Sequence, residues 1–149
     1  MGIDNPNWDT RLVTTNTSST TLNASSTLTT LFTSNSFTVG TTSPVKCHLQ
    51  LLHQYEQGAT NCSHRFQLLN SSGGVEANSP KVQVAKQGFG SNFAFGSHNM
   101  HYTFYNVAAG TYQIRVEGVN EGNSNTTHIT TYFAPNNNQG DVLVITYQA

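Results

Sequence analysis

Six histidines, seven carboxylates and two cysteines are the side chains of this 149-residue sequence that could do acid–base, metal or redox chemistry. His53 and His64 fall on two runs that read as the arms of one hairpin. Its register sets them opposite each other, with His48 on the other face. Two imidazoles on neighbouring strands can hold a transition metal. The competing role is a polar pair in the core or at a subunit contact, bonded to tyrosine or backbone, and no metal is assigned. At a subunit contact, charging both rings at about pH 6 would loosen the pair.

The carboxylates Asp4, Asp9, Glu56, Glu76, Glu117, Glu121 and Asp141 form no motif with a histidine or serine. G-x-S-x-G, H-E-x-x-H and the P-loop are all missing. No catalytic residue is assigned, and the expectation is a protein that is not an enzyme and carries no cofactor. Calcium lacks clustered carboxylates. The segment 87–99 sets Phe89, Phe93 and Phe95 among Gly88, Gly90 and Gly96. These rings could stack on a sugar, with Asn92 and Asn99 for its hydroxyls. Burial between subunits is the expected use, because large apolar patches on a free surface are rare.

The elements that carry these residues read as strands. Met100–Gly118 is MHYTFYNV, Ala-Ala-Gly, then TYQIRVEG, the pattern of a β-hairpin closed by Gly110 at positive φ. Tyr112, Ile114 and Val116 alternate with Gln113, Arg115 and Glu117, so one face is buried. Met100, Tyr102 and Phe104 share a face in the first arm, and Tyr105 lies on the other. In Val45–Glu56, Val45, Cys47, Leu49, Leu51, His53 and Tyr55 share one face. The run Asn61–Asn70 is expected to pair back onto it, with Phe66 facing Leu51 and Leu68 facing Leu49. That register separates Cys47 from Cys62 by on the order of 25 Å, too far for a disulfide. Arg11–Asn16, Leu28–Thr33, Phe37–Val39, Lys81–Lys86, Thr126–Phe133 and Val142–Tyr147 read as further short strands. The passage Thr17–Thr27 reads as polar connection, and Ser71–Gly74 as a turn. Helical periodicity is lacking throughout, and nine or ten strands with frequent turns mean a sandwich or jelly roll.

Composition agrees. Charged residues make up 9% of the chain, far below the usual roughly 25%, and Ser, Thr, Asn and Gln replace them. Thr favours strands and Asn, Ser and Gly favour turns. The net charge of −1 is spread over isolated Lys and Arg residues, so no basic stripe exists to track nucleic acid. Apolar runs are too short to span a bilayer, and the first residues lack the pattern of a secretion signal. The Asn-x-Ser/Thr triplets are therefore read as chance. Met1–Thr10, broken by Pro6, reads as an arm whose large apolar groups are Ile3 and Trp8. It either folds back or docks on another subunit.

Several segments together resemble the tumour-necrosis-factor-like jelly-roll domains of bacteriophage structural proteins. TTNTSSTTL (Thr14–Leu22) resembles their polar opening strand. Phe37–Val39 and the long strand from Val45 with its hairpin return resemble their central sheet. FYNVAAGTYQIRV (Phe104–Val116) resembles their late hairpin. The resemblance implies a homotrimer, packed about a threefold axis through aromatic residues, on a virion. The contacts assigned to that trimer are Met100, Tyr102, Phe104, Tyr105, Phe89, Phe93 and Phe95. The expected organisation is a docking arm, 1–10, and one jelly-roll domain, 11–149. The expected function is capsid cement or decoration, the arm gripping the major capsid protein through Ile3 and Trp8. The alternative is a receptor- or glycan-binding tip of a head or tail fibre, taking a glycan on the host surface.

Overall fold

Alternation of apolar and polar side chains builds twelve strands among the residues that the computed structural model describes, which are 9–23, 27–55, 62–84, 94–121, 127–129 and 140–149. In chain order they are β1 (Asp9–Asn16), β2 (Thr21–Asn23), β3 (Thr29–Thr33), β4 (Phe37–Val39), β5 (Ser43–Tyr55) and β6 (Cys62–Asn70). There follow β7 (Val75–Asn78), β8 (Val82–Val84), β9 (Ala94–Val107), β10 (Gly110–Asn120), β11 (Thr127–Ile129) and β12 (Asp141–Gln148). All pairings are antiparallel. Sheet I runs β9–β5, then β12 and β11 side by side along β5, then β1 on β12 and β2 on β11. Sheet II runs from β3 and β4 through β10 and β6 to β7 and β8. Four columns thus face four, and the long strands alternate between sheets along the chain. This is a jelly-roll β-sandwich.

The inward faces are those the alternation marks. Val45, Cys47, Leu49 and Leu51 of β5 meet Leu143 and Ile145 of β12 and Met100 and Phe104 of β9. Across the gap lie Phe66 and Leu68 of β6 and Ile114 and Val116 of β10. Lys46, His48 and Gln50 point outward and are exposed.

Both expected hairpins are absent. β5 pairs with β9, β11 and β12, whereas β6 pairs with β7, β8 and β10. β9 and β10 likewise belong to opposite sheets. Leu51 pairs with His98, and Phe66 with Val116. The physical reason is that an apolar face can be covered only from above. Strands joined by a turn satisfy the same alternation by facing each other across the core as by lying side by side. Gly110 lacks positive φ; among the described residues that conformation occurs at Asn106 (φ 54°) and Gly73 (φ 83°). Gly73 sits in the turn of the true hairpin β6–β7, where its N–H donates to the Asn70 carbonyl at 2.9 Å.

Two buried serines repair the split edges of sheet II. Ser34 lies between β3 and β4, where its N–H donates to the Ile114 carbonyl at 2.8 Å. Its Oγ accepts the Ile114 N–H at 2.9 Å. Ser79 does the same between β7 and β8, giving its N–H to Phe66 O at 2.9 Å and accepting the Phe66 N–H at 2.8 Å. Each serine keeps a buried ladder paired where its edge strand breaks. Ser34→Ala strands a buried N–H and is expected to cost about 1–3 kcal/mol, read from the midpoint of urea unfolding.

Candidate functional site

Pro44 of β5 has no N–H to give the ladder, and β9 bulges opposite it. Val45 pairs with Phe104 and Ser43 with Val107, so Tyr105 and Asn106 together face Pro44 alone. Asn106 takes left-handed φ, which asparagine tolerates better than most residues. The bulge breaks the alternation of β9. Phe104 and Val107 stay inward, while Tyr105 is thrown out and is 77% exposed.

Beside the bulge lies an open groove of about 510 Å³ between the β9 edge of sheet I and β7 of sheet II. Tyr102, Tyr105, Tyr112, Glu76 and Asn106 line it, over a floor that includes Leu68 and Phe104. The Tyr102 ring meets Phe104 edge-on at 4.9 Å. The Tyr112 hydroxyl donates to the Ala108 carbonyl at 3.0 Å, fixing the crossover to β10. β9 pairs on one side only among the described residues. Three of the four large apolar side chains exposed there, Tyr105, Val75 and Val82, belong to the strands on this side of the sandwich. An unpaired strand edge flanked by exposed apolar groups is a surface suited to pairing with another chain.

The residues assigned to a trimer contact divide. Met100 and Phe104 are 2% and 4% exposed and pack into the chain's own core. That removes them from the outer surface, because they hold the inward positions of β9. Tyr102 is half-buried at the groove and Tyr105 is free to meet a neighbour. Ile3, Trp8, Phe89 and Phe93 lie outside the described residues, and Phe95 is placed by its backbone alone, opposite Gln54. β1 begins at Asp9, so the last two residues of the arm segment 1–10 pair with β12.

The histidine pairing needs correction. His53 lies opposite Gly96, and His64 between Gly118 and Val82. Because β5 and β6 occupy different sheets, the expected His53–His64 register does not exist. Instead His64, fully buried, meets His98 of β9 at 5.8 Å between ring centres. On the outer face of sheet I, His48 stacks on His101 at 4.0 Å. Among the described residues no three His, Cys, Asp or Glu side chains converge as a metal cluster would.

Burial lowers the His98 pKa below its ordinary 6.5, because the cation loses its hydration. The unfolded chain therefore binds the proton more readily than the folded one. The contribution of His98 to stability is complete above about pH 6.5 and falls as the pH drops through that value towards its lower folded pKa. His98→Leu is expected to flatten the decline in unfolding temperature between about pH 6.5 and 5. Both cysteines are free and buried, Cys47 in sheet I and Cys62 in sheet II. Desolvation raises the Cys62 thiol to about 12 and shifts Cys47 upward too. Alkylating reagents are expected to miss both thiols in the native protein and label both after unfolding, as a mass shift would report.

No family model matches the sequence, and no curated protein does. Solved structures do. A chain of the infectious bursal disease virus VP2 subviral particle superposes with a TM-score of 0.59 at 10% identity, over 99% of this chain and 36% of that one. A chain of T=1 particles derived from the same virus gives 0.56 at 11% identity, over 100% of this chain and 40% of that one. The structure of the Gx strain of that virus gives 0.54 at 13% identity, over 100% and 37%. At these identities the likeness is one of fold. The chain spans a little over a third of the proteins it resembles, and the whole of it takes part.

The bulge is the feature that sequence reasoning missed. Its signal is Pro44 within a strand-like run, which marks an edge or a bulge.

Proposed function

We propose that this chain is a structural protein of a virus particle, a bacteriophage on the sequence resemblance. In this reading it decorates the capsid surface as a tumour-necrosis-factor-like homotrimer. The observation that carries the proposal is its jelly roll, shared along the full chain with chains of virus particles. The one-sided β9 edge with Tyr105, Val75 and Val82 supports self-association. Each copy covers this apolar margin with its neighbour, Tyr105 and Tyr102 making the contact. The segment 1–8, with Ile3 and Trp8, docks on the major capsid protein. Three arms on one trimer multiply a weak grip without new chemistry. Co-sedimentation with capsids of the parent particle tests this. The full chain is expected to bind, and a chain lacking residues 1–8 to stay trimeric and remain in solution. Full binding by the shortened chain would overturn the role of the arm. A full chain that leaves capsids untouched would overturn the decoration role.

One observation favours a glycan-binding tip as the second reading. The groove joins three tyrosine rings to a carboxylate and an amide, Glu76 and Asn106, a set able to stack on a sugar and bond its hydroxyls. A glycan array probed with the native chain and with Glu76→Gln separates the readings. Binding lost on that substitution supports the tip, and no binding by the native chain rejects it.

A further inference from the structure

We infer that His48 and His101 form a cross-strand chelate for a borderline divalent transition metal on the outer face of sheet I. This inference is independent of the virion reading. The two residues are direct partners in the β5–β9 register. Their rings are exposed and stacked, 4.0 Å apart and 24° from parallel, so a turn of the exposed rings about their side-chain torsions is needed to aim both nitrogens at one ion. Both come from long strands held inside the sheet or along its edge, so the backbone fixes their spacing before any ion arrives. A shallow recess of about 270 Å³ opens at the pair, with Val144, Thr146 and Thr103 among its walls. It leaves room for water in the remaining coordination positions.

The surroundings select the class of ion. Imidazole nitrogen suits copper, nickel and zinc, whereas calcium and magnesium require oxygen-rich sites. No carboxylate lines the recess. Gln50 and Asn99, exposed partners two residues along the same face, can steady the coordinated water. Lys46, opposite Thr103 and Thr146 on the other flank, is the cation that opposes binding. It is exposed, and its long stem lets the ammonium lean away. The His64–His98 pair does not compete, because His64 is sealed in the core. A metal on His48 and His101 clamps β9 to β5, and by mass action it stabilises the folded state.

The test is calorimetric titration of the untagged full chain with copper(II), nickel(II) and magnesium chlorides at neutral pH. One ion per chain is expected, with copper above nickel and no heat from magnesium. Unfolding temperature should rise with copper or nickel. His48→Ala and His101→Gln should each weaken binding by roughly tenfold or more, and the double variant should bind more weakly still, because each single variant keeps one imidazole as a lone ligand. Weak residual binding with one imidazole and none with neither is the signature of two ligands on one ion. Both positions lie on the surface, so the variants fold, which the metal-free unfolding temperature checks. Native affinity in either single variant would overturn the chelate.

Discussion

Phe66→Ala is expected to remove about 3–5 kcal/mol of stability. Phe66 is fully buried in the middle of β6 and belongs to the cluster shared by the two sheets. Its backbone is held on both sides, by Val116 of β10 and by Ser79 beyond the end of β7. The strand therefore cannot shift to fill the space the ring leaves, and the cavity persists. A domain of this kind commonly has about 5–15 kcal/mol in total, so the loss is a large share of it. Urea unfolding should show a much lower midpoint with an unchanged slope. A loss below about 1 kcal/mol would mean that the sheets do not close on this ring. Phe66→Leu, nearer in volume, should cost clearly less.

In the proposed trimer, Tyr105→Glu is expected to release monomers. Tyrosines at the centre of an interface are frequent hot spots, worth about 2 kcal/mol or more on truncation. That corresponds to roughly thirtyfold in affinity, and a buried charge adds to it. The fold should not notice, because Tyr105 is 77% exposed on a bulge and has no place in the core. Surface changes of this kind stay within about 0.5 kcal/mol. Sedimentation velocity at micromolar concentration, beside the urea midpoint, reads the two effects separately. Native mass with Tyr105→Glu would remove this strand from the subunit contact.

The sequence is explicit about faces and silent about neighbours. Val45, Cys47, Leu49 and Leu51 are inward, and Lys46, His48 and Gln50 outward, as a two-residue period requires. Strand positions follow from the same signal, and β4 runs from Phe37 to Val39 as expected. The period carries no information on which strand lies alongside. In place of the two expected hairpins the chain crosses between sheets, which separates His53 from His64. β2 is hard to read because Thr21 and Asn23 are polar and Leu22 is its one apolar residue. β7 is hard to read because most of its residues are exposed. The histidine contacts that form, His48 with His101 and His64 with His98, join segments about 35–50 residues apart, and only the completed topology brings them together.

Light scattering on the full chain at micromolar concentration tests the self-assembling jelly roll most directly. A particle of three times the 16.2 kDa chain mass is expected. A particle of 16.2 kDa, with Tyr105 and the β9 edge left to water, would contradict it.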